Sequence, residues 1–167
     1  MINLVTDGLP ALALGIDPVS PDVMHRKPRK LGSKIIDRKM LTSIIYLSIL
    51  MTIVILFLFF RHYHVDLEQA RTGVFVLLVL LEMIRIWMIR SEYKLKFFSN
   101  KWLLGAIVGS IALVLLIVYI PSLSKIFHTK ALSLWIWIEI LLILFVLFIG
   151  VKISKFLKLK FYKLKNG

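Results

Sequence analysis

Two stretches of this sequence, Leu41–Phe60 and Trp102–Ile120, contain no charged residue. Two further runs are almost as apolar. Leu132–Val151 holds one acid, Glu139, and Thr72–Ile89 holds Glu82 and Arg85. Each run approaches the roughly 20 residues that a helix needs to cross about 30 Å of hydrocarbon. In lipid a segment must satisfy its own backbone polar groups, so these runs are predicted helices. Composition agrees: 59% of residues are hydrophobic, 19% are charged and mean hydropathy is +0.88. A soluble domain is nearer 45–50% apolar and about 25% charged. An ordinary globular domain and a disordered chain are both excluded. The expected fold is an all-α, polytopic transmembrane helix bundle of one partial and four full spans.

The partial span is the opening, 1–16, which carries Asn3, Thr6 and Asp7 within an apolar background. It has neither a basic flank nor a small-residue cleavage site, which argues against a signal peptide. It reads as most of a fifth span whose beginning is missing. A connecting loop at 17–40 follows, then spans at 41–60, 72–89, 102–120 and 132–151, then a basic tail at 152–167. No internal repeat is evident.

The net charge of +13 can signal nucleic acid or an anionic membrane surface, and the apolar runs decide for the membrane. No nucleic-acid partner is expected. Seventeen of the 22 Lys and Arg fall in 17–40, in 90–101 and in the tail, whereas Arg61, Arg71, Lys125 and Lys130 fall in the opposite connections. The positive-inside rule then puts the first set, and the C-terminus, in the cytoplasm. The tail alternates Lys with Ile, Phe, Leu and Tyr. It reads equally as a surface for anionic lipid or as a flank that fixes topology. There are no cysteines, which removes disulfides and thiolate chemistry.

Asn3, Thr6 and Asp7 follow i, i+3, i+4 spacing and share one face of a helix. An aspartate inside a span costs about 2.5–3.5 kcal/mol on insertion scales, which marks it as a functional candidate. Gly8 loosens the backbone. Pro10 has no N–H and clashes with the carbonyl four residues back, that of Thr6. A helix broken here frees a carbonyl beside a hydroxyl, an amide oxygen and a carboxylate, the oxygen set that hard cations such as calcium prefer. The plain alternative is a kinked helix whose polar face bonds to its neighbours. Counting from the basic ends at 1.5 Å per residue, Asp7 lies about 15 Å deep, Glu82 about 12 Å and Glu139 about 20 Å. Glu82 therefore groups with Asp7, unless it pairs with Arg85 one turn along. Glu139 falls out of line, as a protonated or interface-facing acid near Trp135 and Trp137. His62-Tyr63-His64 reads as an interfacial aromatic cluster, because histidines at i, i+2 do not share a helix face. A proton or cation relay through Asp7, Glu82, Arg85 and Glu139 is the carrier alternative.

The opening Asn-Leu-Val-Thr-Asp-Gly-Leu-Pro-Ala-Leu-Ala-Leu-Gly, residues 3–15, resembles the sixth transmembrane helix of type II P-type ATPases. Calcium pumps of the sarco/endoplasmic-reticulum-like and prokaryotic kind are the nearest group. The run Asp17-Pro18, Pro21-Asp22-Val23-Met24-His25-Arg26-Lys27-Pro28-Arg29 is similar to their following cytoplasmic loop, and Phe98–Leu104 and Lys130–Leu132 are similar further on. The resemblance covers essentially the whole chain as helices six to ten, with the opening motif far more specific than the later helices. It implies the membrane part of an ATP-driven cation pump, calcium foremost, with Asn3, Thr6, Asp7 and Glu82 as metal ligands. Arg85 departs from the Asn or His expected there. A guanidinium at that place either neutralises Glu82 or snorkels to the interface. The sequence has no Asp-Lys-Thr-Gly phosphorylation motif, no Thr-Gly-Glu loop and no nucleotide domain. ATP and Mg2+ would then act only through domains outside this chain, and calcium binding by the chain alone is expected to be weak or absent. The implied partners are the remaining helices and cytoplasmic domains of such a pump, with Arg26 and Arg29 in a docking loop. A free-standing small membrane protein that associates with a pump is the binding-module alternative.

Overall fold

The computed structural model describes residues 2–20, 23–25, 36, 38–93 and 95–165, and it describes the side chains of all of these except 2–5, 25, 39, 92 and 151–165. Arg26 and Arg29 lie outside the described residues, as does the Asn3 side chain. The described chain is helical: α1 (Ile2–Leu14), α2 (Arg38–Tyr63), α3 (Leu67–Glu92), α4 (Lys101–Tyr119), α5 (Pro121–Phe127) and α6 (Leu134–Lys165), with single 3-10 turns at Val23–His25 and Phe97–Ser99. Three stretches, Met40–Tyr63, Leu67–Ser91 and Lys101–Tyr119, are long and apolar enough to cross a membrane, and Leu134–Gly150 is a shorter apolar stretch.

The helix ends follow from local chemistry. Asp66 caps α3, its carboxylate accepting from the Glu68 and Gln69 amides at 3.1 Å each. Asn100 caps α4 by accepting from the Leu103 amide at 2.9 Å. Ile120 is extended, as the residue before a proline prefers, and Pro121 opens α5 as the first helical residue. His128 ends α5 in the left-handed region at φ 53°. This short helix lies in what the sequence presents as a plain connection. α6 continues past Val151 through the basic tail, because Lys, Leu and Phe sustain a helix and Gly150 alone does not stop one.

α3 is the central helix. It packs against α1, α2, α4 and α6, while α1 lies along α4 and α2 along α3. The core runs along α3 through Val76, Leu77, Val79, Leu81 and Met83, closed by Leu58, Leu103, Ile107, Ile136 and Ile140. At Gly73 an added Cβ would lie 3.3 Å from Ile136 Cγ2 and 3.6 Å from Leu58 Cδ2, so three helices meet where this side chain is absent. α2 lies at the edge with most of its apolar side chains exposed, which suits a helix facing lipid tails.

The expected break in α1 takes a smaller form. The helix is continuous from Ile2 to Leu14 with Pro10 inside it. Proline deletes one rung, the bond to Thr6, and the rungs on either side carry the helix across the gap.

Candidate functional site

α1 and α3 place their polar residues in one cleft of about 220 Å³. Asp7, Ala11 and Leu14 line it from α1, at spacings of four and three that keep one face. Glu82, Met83, Arg85, Ile86 and Ile89 line it from α3. Asp7 and Glu82 thus bring two carboxyl groups to the same cleft, one from each helix. Two carboxylates lining one cleft repel each other, and a cation bound between them would relieve that repulsion. Arg85 lines the same cleft, but among the described residues no ion pair joins it to Glu82, so the structure shows the Asp7 grouping and not the Arg85 pairing.

Thr6 is fully buried, and its Oγ1 donates to Asp7 Oδ1 at 3.3 Å. Its carbonyl, expected to be left free by Pro10, accepts a hydrogen bond from Ser110 Oγ of α4 at 3.0 Å. Buried carbonyls are paired in native structures, and here the neighbouring helix provides the donor. In the sequence Ser110 is one small hydroxyl in the middle of an uncharged run, with nothing in its spacing to mark a partner.

Glu139 stands apart from this cleft. Its Oε1 accepts from Arg61 Nε at 2.6 Å, and its Oε2 lies 2.6 Å from His62 Nε2. Glu139, expected as a protonated or interface-facing acid near Trp135 and Trp137, is instead engaged by the last turn of α2. The four-residue relay is not assembled, because its fourth member sits at another place. Tyr63 and His64 do pack ring to ring at 5.0 Å, and His62 turns away from them to Glu139. Among the described residues no group of three or more His, Asp or Glu side chains gathers as a metal site.

Each end of the bundle has its own polar lock. At one end Arg90, 2% exposed, grips Asp17 with both arms of its guanidinium, Nε to Oδ2 at 2.8 Å and Nη2 to Oδ1 at 3.0 Å. The same side chain donates to Ser99 Oγ at 2.7 Å and to the Phe97 carbonyl at 3.3 Å, and lies over the Trp87 ring. Asn100 Nδ2 donates to the Ala13 carbonyl at 2.8 Å and to Asp17 at 3.0 Å. These bonds hold the end of α1 against α3 and α4. Arg90, which the charge pattern counts as a topology signal, is thus a buried structural cation. At the other end Lys130 Nζ meets Asp66 at 2.7 Å while the Lys130 amide donates to Thr72 Oγ1 at 3.0 Å. The Lys130 hydrogen bond, aided by the Gln69 amide, holds the Asp66 carboxyl below the usual carboxylate range, and the same bond raises the Lys130 ammonium.

Residues 1–157 match the family described as Cation transporting ATPase, C-terminus. The chain is 38% identical over 146 residues to a calcium-transporting ATPase of Bacillus subtilis (strain 168), covering 84% of this chain and 16% of that protein. It is 34% identical over 139 residues to the human calcium-transporting ATPase type 2C member 1, covering 80% of this chain and 15% of that protein. A calcium-transporting ATPase 1 of Yarrowia lipolytica (strain CLIB 122 / E 150) is 31% identical over 138 residues, with 79% and 15% covered. The chain thus spans about one-sixth of the length of these relatives. A transmembrane bundle that matches over residues 1–157 belongs to the C-terminal family of cation-transporting P-type ATPases.

Proposed function

We propose that this chain forms one wall of the ion path in an ATP-driven calcium pump, with Asp7 and Glu82 as the charged ligands. The observation that carries the reading is that two carboxyl groups, from helices far apart in sequence, line one cleft. Thr6 adds a hydroxyl, its carbonyl being engaged by Ser110. Asn3 adds an amide oxygen one turn earlier on α1. Arg85, on the cleft wall, limits the positive charge that the pair can hold, which favours a single cation.

Calcium takes six to eight oxygens. Two carboxylates, a hydroxyl and an amide reach that number only if every atom converges, so the site takes further donors from helices outside this chain. The isolated chain therefore neither pumps nor binds calcium tightly. ATP and Mg2+ act through domains beyond it. The basic loops and tail face the cytoplasm, where Arg26 and Arg29 meet the phosphorylation domain and the tail meets anionic lipid.

The test replaces the matching C-terminal segment of the Bacillus subtilis calcium-transporting ATPase with residues 1–167 and follows ATP-dependent calcium uptake into membrane vesicles. Asp7→Asn and Glu82→Gln should each lower apparent calcium affinity at least about tenfold, since a hydrogen-bonded charged group contributes about 1.5–3 kcal/mol. Uptake by Asp7→Asn with the parent's affinity would refute the assignment. Sub-micromolar calcium binding by the chain alone would refute the need for outside ligands.

A further inference from the structure

Proline removes a donor from α1, and α4 supplies one in its place. In an unbroken helix the amide of residue 10 would bond the carbonyl of Thr6. Pro10 has no amide hydrogen, and Ser110 Oγ donates to that carbonyl instead, 104 residues away in sequence and 3.0 Å away in space. Both partners are deeply buried, Thr6 at 0% and Ser110 at 1% exposure.

The bond differs from those made by other hydroxyls in these helices. Thr42, Thr52 and Thr72 each donate to the carbonyl four residues back in their own helix. That is the usual local arrangement for a helical hydroxyl. Ser110 directs its proton to a second helix, at the one rung that Pro10 leaves out.

The place of this bond matters. The Thr6 carbonyl belongs to the same planar peptide group as the Asp7 nitrogen. Fixing that oxygen fixes the plane from which the Asp7 side chain starts. The Thr6 hydroxyl already bonds Asp7 Oδ1, so one peptide group governs both donors. Asn100 holds the same helix lower down, through the Ala13 carbonyl. α4 thus grips the backbone of α1 at two points, one of them directly behind the cleft.

We infer that Ser110 is a positioning residue of the cation cleft, setting the height and angle of Thr6 and Asp7 by completing the rung that Pro10 lacks. The inference rests on the reading of Asp7 and Glu82 as cation ligands. Ser110 touches no cation itself. Its effect is on affinity, and it depends on the proline.

The test uses the same pump carrying residues 1–167, with apparent calcium affinity and maximal uptake rate measured separately. Ser110→Ala should lower affinity about tenfold, the shift that one buried hydrogen bond commands, with little change in maximal rate. Ser110→Thr, which keeps the hydroxyl, should restore affinity. In a Pro10→Ala background the amide returns to the helix, so adding Ser110→Ala should cost little more. Equal or higher affinity in Ser110→Ala overturns the inference if Asp7→Asn still weakens binding. A Ser110→Ala loss that is unchanged in the Pro10→Ala background, or that Ser110→Thr fails to restore, also overturns it, since mere packing would give that result. If Asp7→Asn and Glu82→Gln leave affinity intact, or if the assembly carrying the parent sequence takes up no calcium, the cation reading falls and this inference falls with it.

Discussion

Replacing Arg90 with alanine should destabilise the bundle by about 3–5 kcal/mol, the usual cost of removing one partner of a buried ion pair. The structure gives the reasons. Arg90 is 2% exposed and donates to both oxygens of Asp17, to Ser99 Oγ and to the Phe97 carbonyl. Hydrogen bonds to charged groups contribute about 1.5–3 kcal/mol each, but they share one desolvation cost, so their simple sum overstates the net effect. The larger part of the loss comes from Asp17, 12% exposed, left as an uncompensated charge. Removing that charge as well should therefore recover stability. Arg90→Ala with Asp17→Ala should cost less than the two single changes added together, with a coupling of about 2 kcal/mol. Arg90→Lys keeps the charge and loses the fork, and should cost roughly half as much as Arg90→Ala. The assay is unfolding of the purified chain by graded SDS in mixed micelles, followed by tryptophan fluorescence. Trp87 is a local reporter, because it stacks on Phe97 at 3.8 Å and lies under Arg90. A loss below about 1 kcal/mol in Arg90→Ala, or strict additivity in the double mutant, would refute the reasoning.

Three further outcomes are expected. Asn100→Ala removes a helix cap and a donor to the Ala13 carbonyl, and should cost about 2 kcal/mol in the same unfolding assay. Gly73→Leu forces a side chain between Ile136 and Leu58 and should cost about 1–3 kcal/mol, read as a lower thermal midpoint with α2 and α6 less protected from hydrogen exchange. The Asp66–Lys130 lock should show in the acid limb of the stability curve: Asp66 has a folded pKa below its unfolded value, so its contribution is present above the ordinary carboxylate range and is lost as pH falls through the lower folded value. Asp66→Asn should flatten that limb, and an unchanged acid limb would count against the lock.

The long helices were legible because a membrane leaves few choices to an uncharged run of about 20 residues. The levels of Asp7 and Glu82 are legible from the rise per residue, and both residues line one cleft. Their neighbours are not. Ser110 is one small hydroxyl among apolar residues, and linear spacing cannot say that α4 lies beside α1. Arg90 looks like any basic residue at a helix end until Asp17 and the 97–100 turn close over it. Depth separates Glu139 from Asp7 and Glu82, but linear spacing does not reveal Arg61 and His62 as its partners. Pairing across helices decided each of these cases, and pairing is set by the whole bundle.

The seating of α1 on α4 also has a consequence for biogenesis. Thr6 leaves the ribosome long before Ser110, with 104 positions between them. At about 5–20 residues per second, that gap lasts roughly 5–20 seconds. Throughout it α1 carries an aspartate and a proline-gapped backbone into the bilayer with α4 still unsynthesised. Nascent chains halted before residue 100 should accordingly be the ones that quality-control proteases remove first.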